Sequence, residues 1–153
     1  IVAVMCLCEV AAWCKKNNRT LWDMMLEMYE EYGYFKETQY TITLKGIDGS
    51  KQIAAIMDKL RQNPPKAIGE AKVLKFRDYQ EDKVIDMETG AESKTGLPKS
   101  NVLYFELPDN CWCCARPSGT EPKIKFYMGV VGSSLDDAQA KVEQLTEDLK
   151  ALL

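Results

Sequence analysis

Residues 114–127 read Cys-Ala-Arg-Pro-Ser-Gly-Thr-Glu-Pro-Lys-Ile-Lys-Phe-Tyr. Between two apolar runs they gather a guanidinium, two hydroxyls, a glycine and two ammonium groups. A hairpin that only reversed direction could do so with Asn-Gly or Asp-Gly. Pro117 fixes the backbone here, and Gly119 permits a positive φ or a close backbone approach. Successive N–H groups in such a turn can point into one concavity and form an anion nest. Ser118 and Thr120 add hydroxyl donors, and the planar fork of Arg116 suits two phosphate oxygens. Lys123 and Lys125 make the neighbourhood positive within an acidic chain, and Glu121 is the one dissenter. On residue chemistry alone a second reading stands beside the first: a capped turn in which Arg116 pairs with Glu121 or Glu106.

Other chemistries are narrowed by what the chain contains. It has no histidine, which removes a Ser-His-Asp triad, a His-ligated metal and an imidazole acid or base. The 6 cysteines fall in two clumps, Cys6, Cys8 and Cys14, then Cys111, Cys113 and Cys114. No signal peptide accompanies them, so a reducing, cytoplasmic setting is favoured over a secreted disulfide framework. A thiol-based metal or redox site is a rival reading. Strand alternation puts Cys111 and Cys113 on one face and Cys114 on the other, which disfavours convergence. The Cys-x-Cys at Cys6 lacks zinc-type spacing, and inert, buried thiols are expected. Asp48 is the only carboxylate of the segment Ile47 to Ser50, which therefore reads as a helix start and not a metal loop.

The 153 residues are 46% hydrophobic and 28% charged, with 20 Lys plus Arg against 23 Asp plus Glu and a net charge of −3. That is a globular composition, without a basic stripe for nucleic acid or a polybasic segment for a membrane surface. The opening apolar run is interrupted by Glu9 and is too short to span a bilayer. A helix apolar nearly all round belongs inside something larger. The chain is therefore expected to be cut from a longer protein and to self-associate, or to cover itself, through that helix.

Two helices are expected between Val2 and Tyr32, broken at Lys15–Arg19, with Thr20 as the cap of the second. Its Met24, Met25 and Met28 are expected to fill core. A strand is expected over Thr38–Gly46, with a hinge in the Gly33–Thr38 connection, then a helix capped by Ser50 and stopped at Asn63-Pro64-Pro65. Ala71–Tyr79 reads as a second strand, 80–100 as a long loop or ragged hairpin, and 101–110, 111–116 and 122–132 as three adjacent strands. Ser134 to Asp137 reads as a capping box opening a helix with Leu135, Ala138, Val142, Leu145, Leu149 and Leu152 as its stripe. This order predicts an α+β fold: an antiparallel sheet with two helices packed on one face, preceded by two helices.

The segment RPSGTEPK closely resembles the phosphate-binding loop of the α-D-phosphohexomutases, the phosphoglucomutase and phosphomannomutase family. KIKFY, NVLYFELPDN-CW, the RDY of Arg77–Tyr79 and the LRQNPP of Leu60–Pro65 are similar to that family's C-terminal region. The run from Glu9 to Phe35 resembles the helical end of its third domain. The resemblance implies a TBP-like C-terminal domain over 36–153 and a helical tail of a preceding domain over 1–35. It implies that Arg116, Ser118, Gly119 and Thr120, assisted by Lys123, hold the non-reacting phosphate of a hexose phosphate. It further implies interconversion of hexose 1-phosphate and 6-phosphate through a phosphoserine and a bisphosphate intermediate. The implied serine, magnesium loop and sugar-selecting loop match nothing in this chain. No catalytic or metal-binding residue is therefore expected here, magnesium belongs to the full-length enzyme, and the chain's partners are phosphate or hexose phosphate and the missing N-terminal domains. The chain alone is expected to be inactive, and a stand-alone α+β binding module is the alternative.

Overall fold

The computed structural model describes residues 1–44 and 47–153. The chain opens with helices α1 (Val2–Lys16) and α2 (Leu21–Tyr32). Thr20 caps α2 reciprocally: its Oγ1 accepts from the amide of Asp23 at 3.1 Å, and the Asp23 carboxylate accepts from the Thr20 amide at 2.8 Å. Two orphan donors are satisfied at once. Cys14 is buried where the helices meet, its Sγ 3.8 Å from Sδ of Met24. Met25 and Met28, expected in a core, are exposed, as are Val2, Val4, Met5 and Leu7 of α1. The stripe is apolar, but nothing within the described residues lies over it.

Strand β1 (Tyr34–Thr43) pairs antiparallel with β9 (Lys123–Gly132) along its whole length, from Tyr34 opposite Gly132 to Thr43 opposite Lys123. It begins four residues before the expected start, so most of the expected hinge is sheet and only Gly33, at φ 107°, stands outside it. Lys45 and Gly46, the end of the expected strand, lie outside the described residues. Helix α3 (Ile47–Gln62) starts ahead of Ser50, which sits in its first turn and is not the cap. The segment Ile47 to Ser50 does open a helix, as expected, and Gly49 lies in that first turn. It is tolerated because the carbonyl of Leu44 lies 2.5 Å from where a Cβ would stand. The helix stops before Asn63-Pro64-Pro65 as expected.

The expected strand over Ala71–Tyr79 is two. β2 (Ala67–Ile68) and β3 (Ala71–Lys72) form a small hairpin around Gly69, and the main sheet is joined only at β4 (Lys75–Asp78). Val73, between them, is fully buried all the same. The 80–100 segment contains the ragged hairpin β5 (Lys83–Asp86) and β6 (Glu92–Ser93). β7 (Leu103–Glu106) turns into β8 (Trp112–Pro117) through Pro108–Cys111. The two central turn residues, Asp109 and Asn110, have φ 56° and 59°, and the Cys111 amide donates to the Pro108 carbonyl at 3.0 Å. That is a primed hairpin turn filled by the residues that best tolerate it. Helix α4 (Leu135–Leu152) closes the chain. Its Ser134 cap accepts from the Asp137 amide, while the Asp137 carboxylate reaches past Ser134 to the Ser133 amide at 2.7 Å.

The main sheet has the order β1-β9-β8-β7-β4-β5-β6, antiparallel throughout. Ile124, Phe126, Met128 and Val130 alternate inward along β9 and meet Ile53, Met57 and Leu60 of α3 and Val142, Leu145 and Leu149 of α4 in one core. Both helices therefore cover one face, as the residue order required. A buried carboxylate, Asp78, ties the layers: Nε of Arg61 on α3 donates to it at 2.8 Å, and Nη2 of Arg61 donates to the Asn101 side chain, also at 2.8 Å. The turn between β8 and β9 lies at one end of the sheet, beside the end of β1.

Candidate functional site

That turn is residues 118–122, set between Pro117 opposite Ile124 and Arg116 opposite Lys125. It closes with the Ser118 amide donating to the Lys123 carbonyl at 2.8 Å and the Lys123 amide donating to the Glu121 carbonyl at 2.7 Å. Its outer edge meets β1 where the Leu44 amide donates to the Pro122 carbonyl at 3.0 Å. Beneath it a cavity of about 160 Å³ is lined by Ser50, Ile53, Ala54 and Met57 of α3, by Asn101, and by Pro117, Ser118, Glu121 and Pro122. The loop is thus held by β8, β9 and the residue after β1, and overhangs a cavity walled on its other side by α3.

The donors divide into those already used and those free. The Ser118 hydroxyl oxygen accepts from the Glu121 amide at 3.2 Å and, more loosely, from the Thr120 amide at 3.4 Å. Those two amides serve the turn and are not part of a nest. A hydroxyl that accepts twice keeps its own proton to donate, and polarisation strengthens that donation. Among the described residues the Gly119 amide makes no hydrogen bond, nor does the Thr120 hydroxyl. Gly119 is exposed, its φ lies outside the left-handed region, and a Cβ built on it meets nothing within 4 Å. Of the two uses expected of this glycine, the positive φ does not hold, and what remains is room for a close approach, with open space above the loop.

Arg116 is exposed and, among the described residues, makes no ion pair or side-chain hydrogen bond. It pairs with neither carboxylate proposed for it. Glu121 is taken by Lys123, with Oε1 2.8 Å from Nζ. Glu106 is taken by Arg77, and sits opposite Trp112 at the far end of β7 from Arg116. Lys123, nearest in sequence to the loop, is the cation with a partner.

Lys125, read from the sequence only as part of a positive neighbourhood, becomes a candidate site residue. It lies directly across from Arg116 in the β8–β9 pair, and among the described residues it too has no ion-pair partner. Like charges opposite one another in a sheet repel and are normally avoided, so two unneutralised cations at this position mark a place suited to an anion. The signal existed in the alternation of Lys123 and Lys125 with Ile124 and Phe126, but which residue they face is a matter of register.

The thiols, expected to be buried, are not uniformly so: Cys6 and Cys8 are exposed, and Cys111 and Cys114 are half-buried. Cys113 faces the core, where burial pushes its thiol up to about 12. Cys114, on the opposite face, is raised by burial as well. Among the described residues no group of three or more acidic or thiol side chains is gathered for a metal, so the residues present do not fit the magnesium site that the resemblance implies for the full-length enzyme. No described helix is long and apolar enough to cross a membrane.

Comparison with known proteins found no matching family model. Over 137 residues, 90% of the chain, it is 36% identical to the phosphoglucomutases of Staphylococcus aureus strains bovine RF122 / ET3-1 and USA300, covering 25% of each. The chain thus spans about a quarter of the length of the curated relatives it matches. Among solved structures it resembles the exocytosis-sensitive phosphoprotein pp63/parafusin (phosphoglucomutase) from Paramecium in its open form. The TM-score is 0.51 at 13% identity, over 97% of this chain and 26% of that one. That likeness concerns the fold.

Proposed function

Because this chain belongs to the phosphoglucomutase family and corresponds to the C-terminal part of its members, we propose that it is the phosphate-gripping part of a phosphohexomutase. In this reading the complete enzyme interconverts hexose 1-phosphate and 6-phosphate through a phosphoserine and a bisphosphate intermediate. The reactive serine and the magnesium loop lie in other parts of the enzyme, and this chain holds the phosphate that is not reacting. Residues 1–35 then close the preceding domain and 36–153 form the phosphate-binding one.

The observation that carries the reading is the unneutralised pair Arg116 and Lys125 beside free hydroxyl and amide donors. Arg116 offers two N–H groups to two phosphate oxygens. Ser118 and Thr120 donate their hydroxyl protons, Gly119 its amide, and Lys125, with Lys123, supplies charge. Every contact is to phosphate and none to a sugar hydroxyl, so the same loop can take either end of a bisphosphate. Binding energy at this remote group can orient the reacting end of the substrate.

An open loop in water keeps only part of what a charge-assisted hydrogen bond is worth, so binding of inorganic phosphate to the chain alone is expected near millimolar, about 4 kcal/mol. Titration followed by the amide resonances of Ser118, Gly119 and Thr120 measures it. Arg116→Ala is expected to abolish the response, and Lys125→Ala to weaken it roughly fivefold, about 1 kcal/mol. An unchanged spectrum at tens of millimolar phosphate would remove the site. The chain by itself is expected to turn over no sugar phosphate.

A further inference from the structure

Glu121 is the only carboxylate between Arg116 and Tyr127, and it stands inside the ring of donors. We propose that it is an internal competitor: its carboxylate occupies on Lys123 a place that a phosphate oxygen would take, and so sets how weakly the loop holds its ligand. This rests on the phosphate reading of the loop and adds to it a residue that works against binding.

Three features support the assignment. The carboxylate lies 2.8 Å from the Lys123 ammonium, in a pair both of whose side chains reach solvent. It is held there by the turn itself, since the Glu121 amide is bonded to Ser118 Oγ and its carbonyl accepts from the Lys123 amide. The hydrogen bond from Lys123, then its charge and that of Lys125, keep the carboxyl below the usual carboxylate range, so it stays ionised at neutral pH.

A phosphate approaching Arg116 and Lys125 therefore meets a negative charge at the rim and finds the third cation engaged. It must displace the carboxylate or bind without Lys123. Either way affinity falls, and by only a few-fold, because an exposed pair is weak and screened by salt. Weak holding is useful here. A loop that grips one phosphate of a bisphosphate and then the other must release between the two. Ground-state affinity beyond what orientation needs does not speed the chemical step.

Glu121→Gln keeps the size, the backbone turn and the hydrogen-bonding reach of the side chain, and removes only the charge. Inorganic phosphate is titrated into the wild-type chain and the variant, read by the loop amides. The expected result is binding three- to tenfold tighter in Glu121→Gln at low ionic strength, the ratio falling towards one as salt is raised. In a Lys123→Met background the same change is expected to give a smaller ratio. Wild-type binding that Glu121→Gln leaves equal or weaker, with melting temperature unchanged, overturns the competitor and leaves the phosphate site standing. Should neither chain respond at tens of millimolar phosphate, the phosphate reading itself fails and the competitor falls with it.

Discussion

Gly119 shows how a single residue can separate folding from function. A glycine in a turn ordinarily supplies backbone freedom, but this one has no left-handed φ and no close neighbour. Gly119→Ala should therefore leave stability unchanged or raise it by about 0.4–1 kcal/mol, through the lower entropy of the unfolded chain. It should also weaken phosphate at least threefold, because the new methyl group stands where the ligand approaches. Thermal melting and phosphate titration of one variant test both halves, and an alanine that costs stability while sparing affinity would reverse the assignment. At this scale the sequence was informative about type and silent about partner. That Arg116, Ser118 and Thr120 donate follows from their chemistry; that the Ser118 hydroxyl captures the amide hydrogens of Thr120 and Glu121 depends on the turn's shape.

The elements were most legible where one local rule sufficed. The cap at Thr20, the stop of α3 before Asn63-Pro64-Pro65 and the stripe of α4 each follow from a few neighbouring residues. Elements that depend on distant partners were read less well: β1 extends back to Tyr34 because β9 is long enough to pair with it, and Ala71–Asp78 breaks because its first residues pair with Ala67–Ile68. The β8–β9 pair also hides a constraint. Trp112 lies flat across Gly129, its indole nitrogen 2.3 Å from where a Cβ would stand, and its ring is stacked on Tyr104 at 5.6 Å. Gly129→Ala is expected to cost roughly 1–3 kcal/mol by overpacking. Adding Trp112→Ala should recover part of that cost, so that the two changes are not additive. Denaturation midpoints of the two singles and the double measure the coupling; additive costs would show that Trp112 is not what excludes a side chain at position 129.

At the scale of the whole molecule one core joins both helices to the inward face of the sheet, and Cys113 sits within it, fully buried. Its thiol is raised from 9.0 to about 12 in the folded chain, chiefly by burial. The group is neutral when protonated and its folded value is the higher, so the native state holds its proton where the unfolded state has released it. Stability from this source is complete below pH 9 and is lost as pH rises through the interval to 12, at about 1.4 kcal/mol per pH unit. Equilibrium unfolding of Cys113→Ala should lose stability less steeply than the wild type above pH 9; equal slopes would mean that the thiol does not drive the alkaline loss.

The residues themselves determined that this chain has a polar, donor-rich turn between two strands, that α4 carries an apolar stripe, and that no imidazole chemistry is available to it. Each of these depends on composition or on spacing within an element, which a linear chain carries in full. Only the tertiary structure decided which cation stands opposite Arg116, which carboxylates are already engaged, and how Ser118 closes the loop. Those outcomes depend on strand register, where a slip of one residue turns every side chain to the other face. Register is set by the core that β1, β7, β8 and β9 share with the two helices, not by the turn.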